Sequence, residues 1–249
     1  MRIDPVPSPE RLEPTLRSWR LLAAHVVAEA RYRRIGHSGL QPTALGFTTP
    51  RDEPGVVAVE LDELVVGVGD AERRCQVATV GQAQTRALGE VGAPRWGAQP
   101  GLHDPPGPVP ADEPLDIDRE VAAWLGGWFL LGHEVLNGLV ADAASTHAGV
   151  PTLWPEHFDV GVELLPDERR ASYGVSAGDD LVAQPYAYVA VWQPEHHGGL
   201  SDPWWNATAV RGAVLTADVL AQRRAPYDEL LRWFRTGRDL MLPAEPPPP

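Results

Sequence analysis

The sequence contains no lysine; all 21 basic side chains are arginine. A Schiff-base enzyme needs a lysine amine, so pyridoxal-phosphate and lysine-dependent aldolase chemistry are excluded. A Walker A loop and a protein-kinase site both place a lysine on phosphates, and both are excluded on the same ground. Codon bias in a GC-rich genome accounts for the deficit, and abundant Ala, Gly, Pro and Arg agree with it. Cysteine is nearly absent too. A single residue, Cys75, rules out an internal disulfide, a cysteine-rich zinc site and an all-cysteine iron–sulfur cluster. Arg73 and Arg74 precede it and would favour a thiolate, but its strand-like run Cys75–Val80 suits a buried, inert thiol better. Positive charge is scarce: 34 acidic against 21 basic residues leave a net −13. Neither nucleic acid nor an anionic membrane is an expected partner of so acidic a chain. The longest uncharged apolar-rich run, Val121–Gly132, is too short to span a bilayer, and Met1–Glu13 is polar without a signal-peptide pattern. A soluble, cytoplasmic protein is the expectation.

What is present is a helix-and-strand pattern rich in turn formers. Gly (24) and Pro (26) make up a fifth of the chain, against an average near ~12%. A first helix is predicted over Pro14–Ile35, with Leu16, Trp19, Ala23, Val26, Val27 and Ala30 as its apolar stripe and Gly36 past its end. Strands are predicted at Gly46–Thr49, over Val56–Val68 as a pair turning near Leu61–Glu63, and at Arg74–Val80, with a turn at Gly67–Asp70. Seven prolines and four glycines mark Gly92–Ile117 as a linker, pinned by Trp96, that serves as spacer or lid. A second helix from Asp116 or Asp118 to about Ala144 is apolar on two faces and reads as a central core element. Phe158–Leu164 alternates strictly, Arg170–Val175 and Tyr186–Trp192 are further strands, and helices close the chain at Ala217–Arg223 and Pro226–Met241. Pro243–Pro249 is expected to be a disordered tail.

The expected fold class is α+β, with long helices packed on antiparallel sheets. Val57-Ala-Val-Glu-Leu61 resembles Val160-Gly-Val-Glu-Leu164, and Gly69-Asp70 resembles Gly178-Asp179. Two readings follow: two similar helix-plus-meander halves in one globular unit, or chance similarity between strands. The organisation expected is 1–91, a linker at 92–117, then 118–242 and the tail.

One stretch carries a family likeness. Leu153-Trp-Pro-Glu-His-Phe-Asp159, Tyr173-Gly-Val-Ser-Ala-Gly-Asp179 and Pro185-Tyr-Ala-Tyr-Val189 together resemble uncharacterised actinobacterial proteins of the domain-of-unknown-function kind. The resemblance covers about 45 residues and implies no activity and no catalytic residue.

Three constellations could carry chemistry. Gly174-Val-Ser176-Ala-Gly178 matches the G-x-S-x-G nucleophile elbow of serine hydrolases, which needs a helix after the serine; the sequel here is a poor helix, and a hairpin turn competes. His157-x-Asp159 puts two ligand types on one face of a predicted strand. With His197 (or His196) they would form a two-histidine, one-carboxylate set for iron or zinc, and Arg211 could anchor a 2-oxoglutarate-like acid. That arrangement resembles the iron- and 2-oxoglutarate-dependent oxygenases, with too few residues between the ligands for their barrel. His133 and Glu134 sit on the buried second helix, where a core histidine is the plainer reading. The loop Gln193–Arg211 gathers His196, Trp204, Trp205, Asn206 and Arg211, and Tyr186 and Tyr188 share a strand face that could line the same pocket. The sequence therefore points to a small-molecule-binding protein or enzyme centred on His157, Asp159 and Tyr186. A non-catalytic interaction protein with structural tryptophans is the alternative.

Overall fold

A proline and a glycine bracket the first helical segment and show how local chemistry sets the architecture. The computed structural model describes residues 3–242 other than 54, 69, 70, 103, 166–168, 198 and 199; the side chains of 68 and 197 are also outside it. The predicted turn at Gly69–Asp70 and the tail Pro243–Pro249 thus lie outside the described residues. Helix α1 (Pro9–Leu22) starts five residues before the prediction because Pro9 occupies its first position, where a missing N–H costs nothing. Its interior Pro14 falls in the second turn and does not break it. The chain then widens into a π segment (Ala23–Val27) and resumes as α2 (Ala28–Ile35), which stops at Gly36 in the left-handed conformation.

The fold is α+β, with two five-stranded antiparallel sheets among the described residues. Each sheet is a meander of strands in chain order. The first runs β1 (Gln41–Thr43), β2 (Gly46–Thr48), β3 (Val56–Glu60), β4 (Glu63–Val68), β5 (Ala71–Gln76). The turn near Leu61–Glu63 is where the sequence placed it, and Leu61 takes a positive φ there. The second comprises β6 (Thr152–Trp154), β7 (Asp159–Leu164), β8 (Ala171–Ser176), β9 (Tyr186–Val191) and β10 (Gly212–Thr216). A helix, α3 (Val80–Leu88), follows the first meander; α4 (Arg119–Val140) precedes the second, and α5 (Ala217–Ala221) and α6 (Pro226–Asp239) follow it.

Two local expectations are corrected. The predicted strand Arg74–Val80 is the end of β5, a short connection and the first residue of α3. Thr79 caps that helix, its Oγ1 accepting from the Gln82 N–H at 3.3 Å, and the Gln82 side chain reaches back to the Ala78 N–H at 3.0 Å. This is a capping box in all but one residue of register. The strict alternation of Phe158–Leu164 also fails as a burial pattern, because β7 is buried at every position except the half-buried Glu163. Both faces of that strand are covered, so its polar face is not a solvent face.

The chain divides into two compact units. One comprises Val6–Leu130 with Thr152–Val160 and holds the whole first sheet; its core carries a chain of edge-to-face rings. Trp19 meets Phe47 at 5.4 Å, Phe47 meets Phe158 at 5.6 Å, and Phe158 meets Phe129 at 5.2 Å. The other comprises Met1–Pro5, Leu131–Pro151 and Gly161–Pro249. There, Gly132 of α4 lies directly on the Val175 side chain of β8, and Tyr173 meets Phe234 of α6. Asp142 accepts a bidentate pair from Arg235 (2.8 and 2.7 Å) and a third bond from Arg238 (2.8 Å). Those arginines hold the Asp142 carboxyl down to about 2.

Candidate functional site

In the first unit a cavity of about 290 Å³ is lined by three separate stretches of chain. Helix α1 and the π segment supply Glu13, Arg17, Arg20, Leu21, Ala24 and His25. These positions recur at helical spacing and run from exposed to buried, so one helix face descends from a charged mouth at Glu13 and Arg17 to a sealed floor at Ala24 and His25. The Pro/Gly-rich segment adds Asp104 and Pro106, and the β6–β7 turn adds Pro155, Glu156 and Phe158.

The π segment explains why a histidine ends up at the floor. A π turn inserts one residue into the helical register and releases carbonyls from the i→i+4 ladder. Two carbonyls of the segment accept from side chains: the Trp96 indole N–H donates to the Ala24 carbonyl (2.8 Å), and the Gln84 amide donates to that of His25 (3.3 Å). His25 is 3% exposed. Burial pushes its pKa down, against the pull of Glu29, so it is a neutral imidazole at neutral pH. Glu29 is itself sealed in the protein, paired with Arg33 and accepting the Arg95 backbone N–H at 2.7 Å.

The Pro/Gly-rich segment is fastened near both its ends, to α1, the π segment and α3. Trp96 is fully buried under it. Gln84 donates to the Gly92 carbonyl (2.7 Å), and the Ser18 hydroxyl both donates to the Asp116 carbonyl and accepts the Asp116 N–H. Arg17 pairs with Glu113. Asp118 caps α4 through the Glu120 N–H (2.9 Å) while accepting from Arg11 (2.6 Å). The segment is thereby a wall of the site.

The third wall is the motif Leu153–Asp159. Phe158 sits at φ +52, a conformation that costs a bulky residue about 1–3 kcal/mol and persists only when its surroundings impose it. Here the imposition is visible: the ring is locked between Phe47 and Phe129, and the Phe158 N–H bonds to the Trp154 carbonyl at 2.7 Å. The strained turn carries Glu156 against the cavity. Its Oε2 is sealed from solvent and has no hydrogen-bond partner among the described residues. Burial pushes this carboxyl's pKa up, opposed by a backbone hydrogen bond and by His157.

The sequence-predicted residues are distributed differently from expectation. His157 and Asp159 were expected to share a strand face. His157 instead lies in the turn before β7 and is exposed, whereas Asp159 opens β7 and is buried. The motif does border the cavity, through Glu156 and Phe158. The pocket was expected between the second-half sheet, the 92–117 linker and the Gln193–Arg211 loop; this cavity takes one wall from that linker and the others from α1, the π segment and the β6–β7 turn. Among the described residues, no group of three or more His, Cys, Asp or Glu side chains is placed to hold a metal. His197 ends a short 3-10 turn, and its side chain is outside the described set.

In the second unit, Ser176 ends β8 and is 2% exposed. The chain turns through Gly178 (φ +104) directly into β9, with the Gly178 N–H donating to Ser176 Oγ at 3.1 Å. A strand–turn–strand hairpin replaces the strand–turn–helix of a nucleophile elbow. Tyr186 is buried and donates to Asp179 Oδ2 at 2.6 Å, and its ring lies 6.0 Å from that of Tyr188. In the Gln193–Arg211 loop, Trp204 packs on Trp205 (4.7 Å) and on Trp233 of α6 (5.0 Å). The Asn206 amide pairs with both backbone groups of Val214. His196 and Arg211 are exposed, and Arg211 takes a positive φ of 54.

Glu156 and His25 were the residues that sequence reasoning missed. His25 stands inside the first helix without a periodic signal of its own. Glu156 is one residue from the histidine that drew attention. In comparisons with known proteins, no family model, curated protein or solved structure matches the chain.

Proposed function

We propose that the cavity in the first unit is a small-molecule site, with Glu156 and His25 as its polar centre in place of His157 and Asp159. The observation that carries this reading is the cavity itself, walled by three separate stretches of chain with Glu156 and the buried His25 both in its lining. A volume of about 290 Å³ stands at the small end of ligand pockets and suits a compact organic molecule. Two further features support the reading. Strained backbone and π turns both gather at binding sites, and Phe158 and Ala23–Val27 border this cavity. The centre also has acid–base capacity, since burial moves the carboxyl up and the imidazole down, towards the same pH range. The likeness of Leu153–Asp159 to actinobacterial proteins without assigned activity is compatible with this role and names no substrate.

The test is a two-dimensional NMR screen with uncharged, anionic and cationic fragments, read on the ring signals of His25 and Phe158. Hits are expected to move both rings. Leu21→Trp, which fills the cavity from a half-buried wall position, should abolish those shifts in a folded protein. Fragments that bind equally well to the filled variant, or leave both rings unmoved, would overturn the proposal.

A further inference from the structure

One tryptophan of the second unit is exposed and yet held in place. Trp192 follows β9 and is 48% exposed. Its indole N–H donates to Ser172 Oγ of β8 at 3.0 Å, and the Arg170 guanidinium lies over the ring, 4.1 Å from its centre. Arg170 pairs in turn with Glu163 of β7, and these two side chains are 43% and 42% exposed. The indole is therefore fixed at one edge and covered on one face, and its exposure belongs to the other face. Register sets a second ring on the same side of the sheet. Tyr188 lies opposite Gly174 and Ala190 opposite Ser172, so Tyr188, Gly174 and Ser172 share a face. The half-buried Tyr188 ring lies across Gly174, where an added Cβ would overlap three of its atoms. The other face of these strands, with Tyr173 and Val189, packs on α6.

We infer that this sheet face binds a neutral oligosaccharide, with Trp192 as its stacking platform and Tyr188 as a second one. A sugar ring presents a flank of weakly positive C–H groups, which suits the negative face of an aromatic ring. Its hydroxyls need donors and acceptors at the rim of the platform, and Glu163, Arg170 and Ser172 stand there. An indole already pinned by a hydrogen bond and a guanidinium loses little freedom when a ligand lands on it. Charge selects the same class. Glu163 and Arg170 cancel each other, and a chain of net −13 repels polyanions such as nucleic acid. Length selects an oligomer: Tyr188 and Trp192 are four residues apart, about 13 Å of extended chain, more than one sugar ring covers. None of these residues lines the cavity of the first unit.

The experiment titrates the full chain with cellotetraose, maltotetraose and tri-N-acetylchitotriose, and with adenosine as a flat aromatic rival. The readout is the Trp192 indole N–H signal in a two-dimensional NMR spectrum, assigned by its loss in Trp192→Phe. At least one of the saccharides should move that signal at millimolar concentration and bind more tightly than adenosine. Trp192→Ala should weaken the binding of that saccharide about tenfold, the scale of one lost stacking contact, and Trp192→Phe should retain part of it. Trp154→Ala, which removes an exposed tryptophan of the first unit, should change nothing. Both Trp192 variants alter an exposed side chain and should fold; if neither does, the wild-type indole signal and the order of the probes decide alone. Tighter binding of adenosine than of any saccharide overturns the inference. So does saccharide affinity that survives Trp192→Ala unchanged, or an indole signal that none of the three saccharides moves.

Discussion

Individual buried polar atoms in this protein divide into those with partners and those without. Glu29 is buried but held by Arg33 and backbone N–H groups; its role is to seat the Trp96 turn on the helix. Tyr173 is the opposite case. It is fully buried, its hydroxyl has no partner among the described residues, and burial pushes its pKa strongly up. No cavity described here opens on it, so the cost of the orphan hydroxyl is structural. Tyr173→Phe should therefore leave stability unchanged or raise it by up to about 1 kcal/mol in urea unfolding, because the ring contact with Phe234 survives. A loss above about 1 kcal/mol would show that the hydroxyl has a partner in solution. Glu156 differs from Tyr173 in that the residue lines a cavity, which is the ground for proposing a role for Glu156 and none for Tyr173.

Secondary-structure elements set these residues in place through close approaches and caps. Helix α4 comes so near β8 at Gly132 that an added Cβ would overlap the Val175 side chain. Gly132→Ala should destabilise the protein by about 2 kcal/mol despite alanine's better helix propensity, and Gly132→Ala with Val175→Ala should recover part of the loss. A stable single variant would contradict this packing. The cap of α3 is a milder case: Thr79→Ala should cost about 1 kcal/mol, seen as a lowered urea midpoint with unchanged slope. The π segment joins two parts of the fold. Its wide turn is what lets Trp96 and Gln84 reach the carbonyls of Ala24 and His25 while the imidazole borders the cavity.

Across the whole molecule, charge is carried by arginine and carboxylates alone among the permanently charged side chains, and this shapes the pH response. Asp142 has a carboxyl at about 2 in the folded protein, below its unfolded value. It contributes stability above the unfolded value, about 2 kcal/mol at most, which is lost as pH falls through the folded one. His25 and His133 both have depressed values caused first by burial. Unfolding lets them bind protons, so their contribution is full above the ordinary histidine value near ~6.5 and declines as pH falls below it. Stability measured by urea unfolding should thus fall in two stages on acidification, beginning below pH ~6.5 and steepening below pH ~4. Asp142→Asn should flatten the lower stage and His25→Gln the upper. A stability profile that is level from pH 7 to pH 4 would contradict the buried, neutral state of the histidines. No described helix is long and apolar enough to cross a membrane.

Much of the architecture was legible in the order of residues because its causes are local. Helix stripes at Leu16, Trp19 and Val26, the glycine stop at Gly36 and the turn between β3 and β4 all follow from neighbours within a few positions. The α+β class followed from their succession. Local signals failed where two of them competed: the Val77–Val80 run looked like a strand although Thr79 and Gln82 together spell a helix cap. The cavity was not legible, and for a different reason. It is built from residues 13–25, 104–106 and 155–158, whose meeting depends on how a proline-rich segment is fastened along a helix. Period-two alternation placed His157 and Asp159 together, but His157 falls in the turn before β7, where Phe158 takes a positive φ with its ring between Phe47 and Phe129. Residue types set which chemistries were available; burial, a property of the packed chain, moved the Glu156 carboxyl up and the His25 imidazole down from their ordinary values.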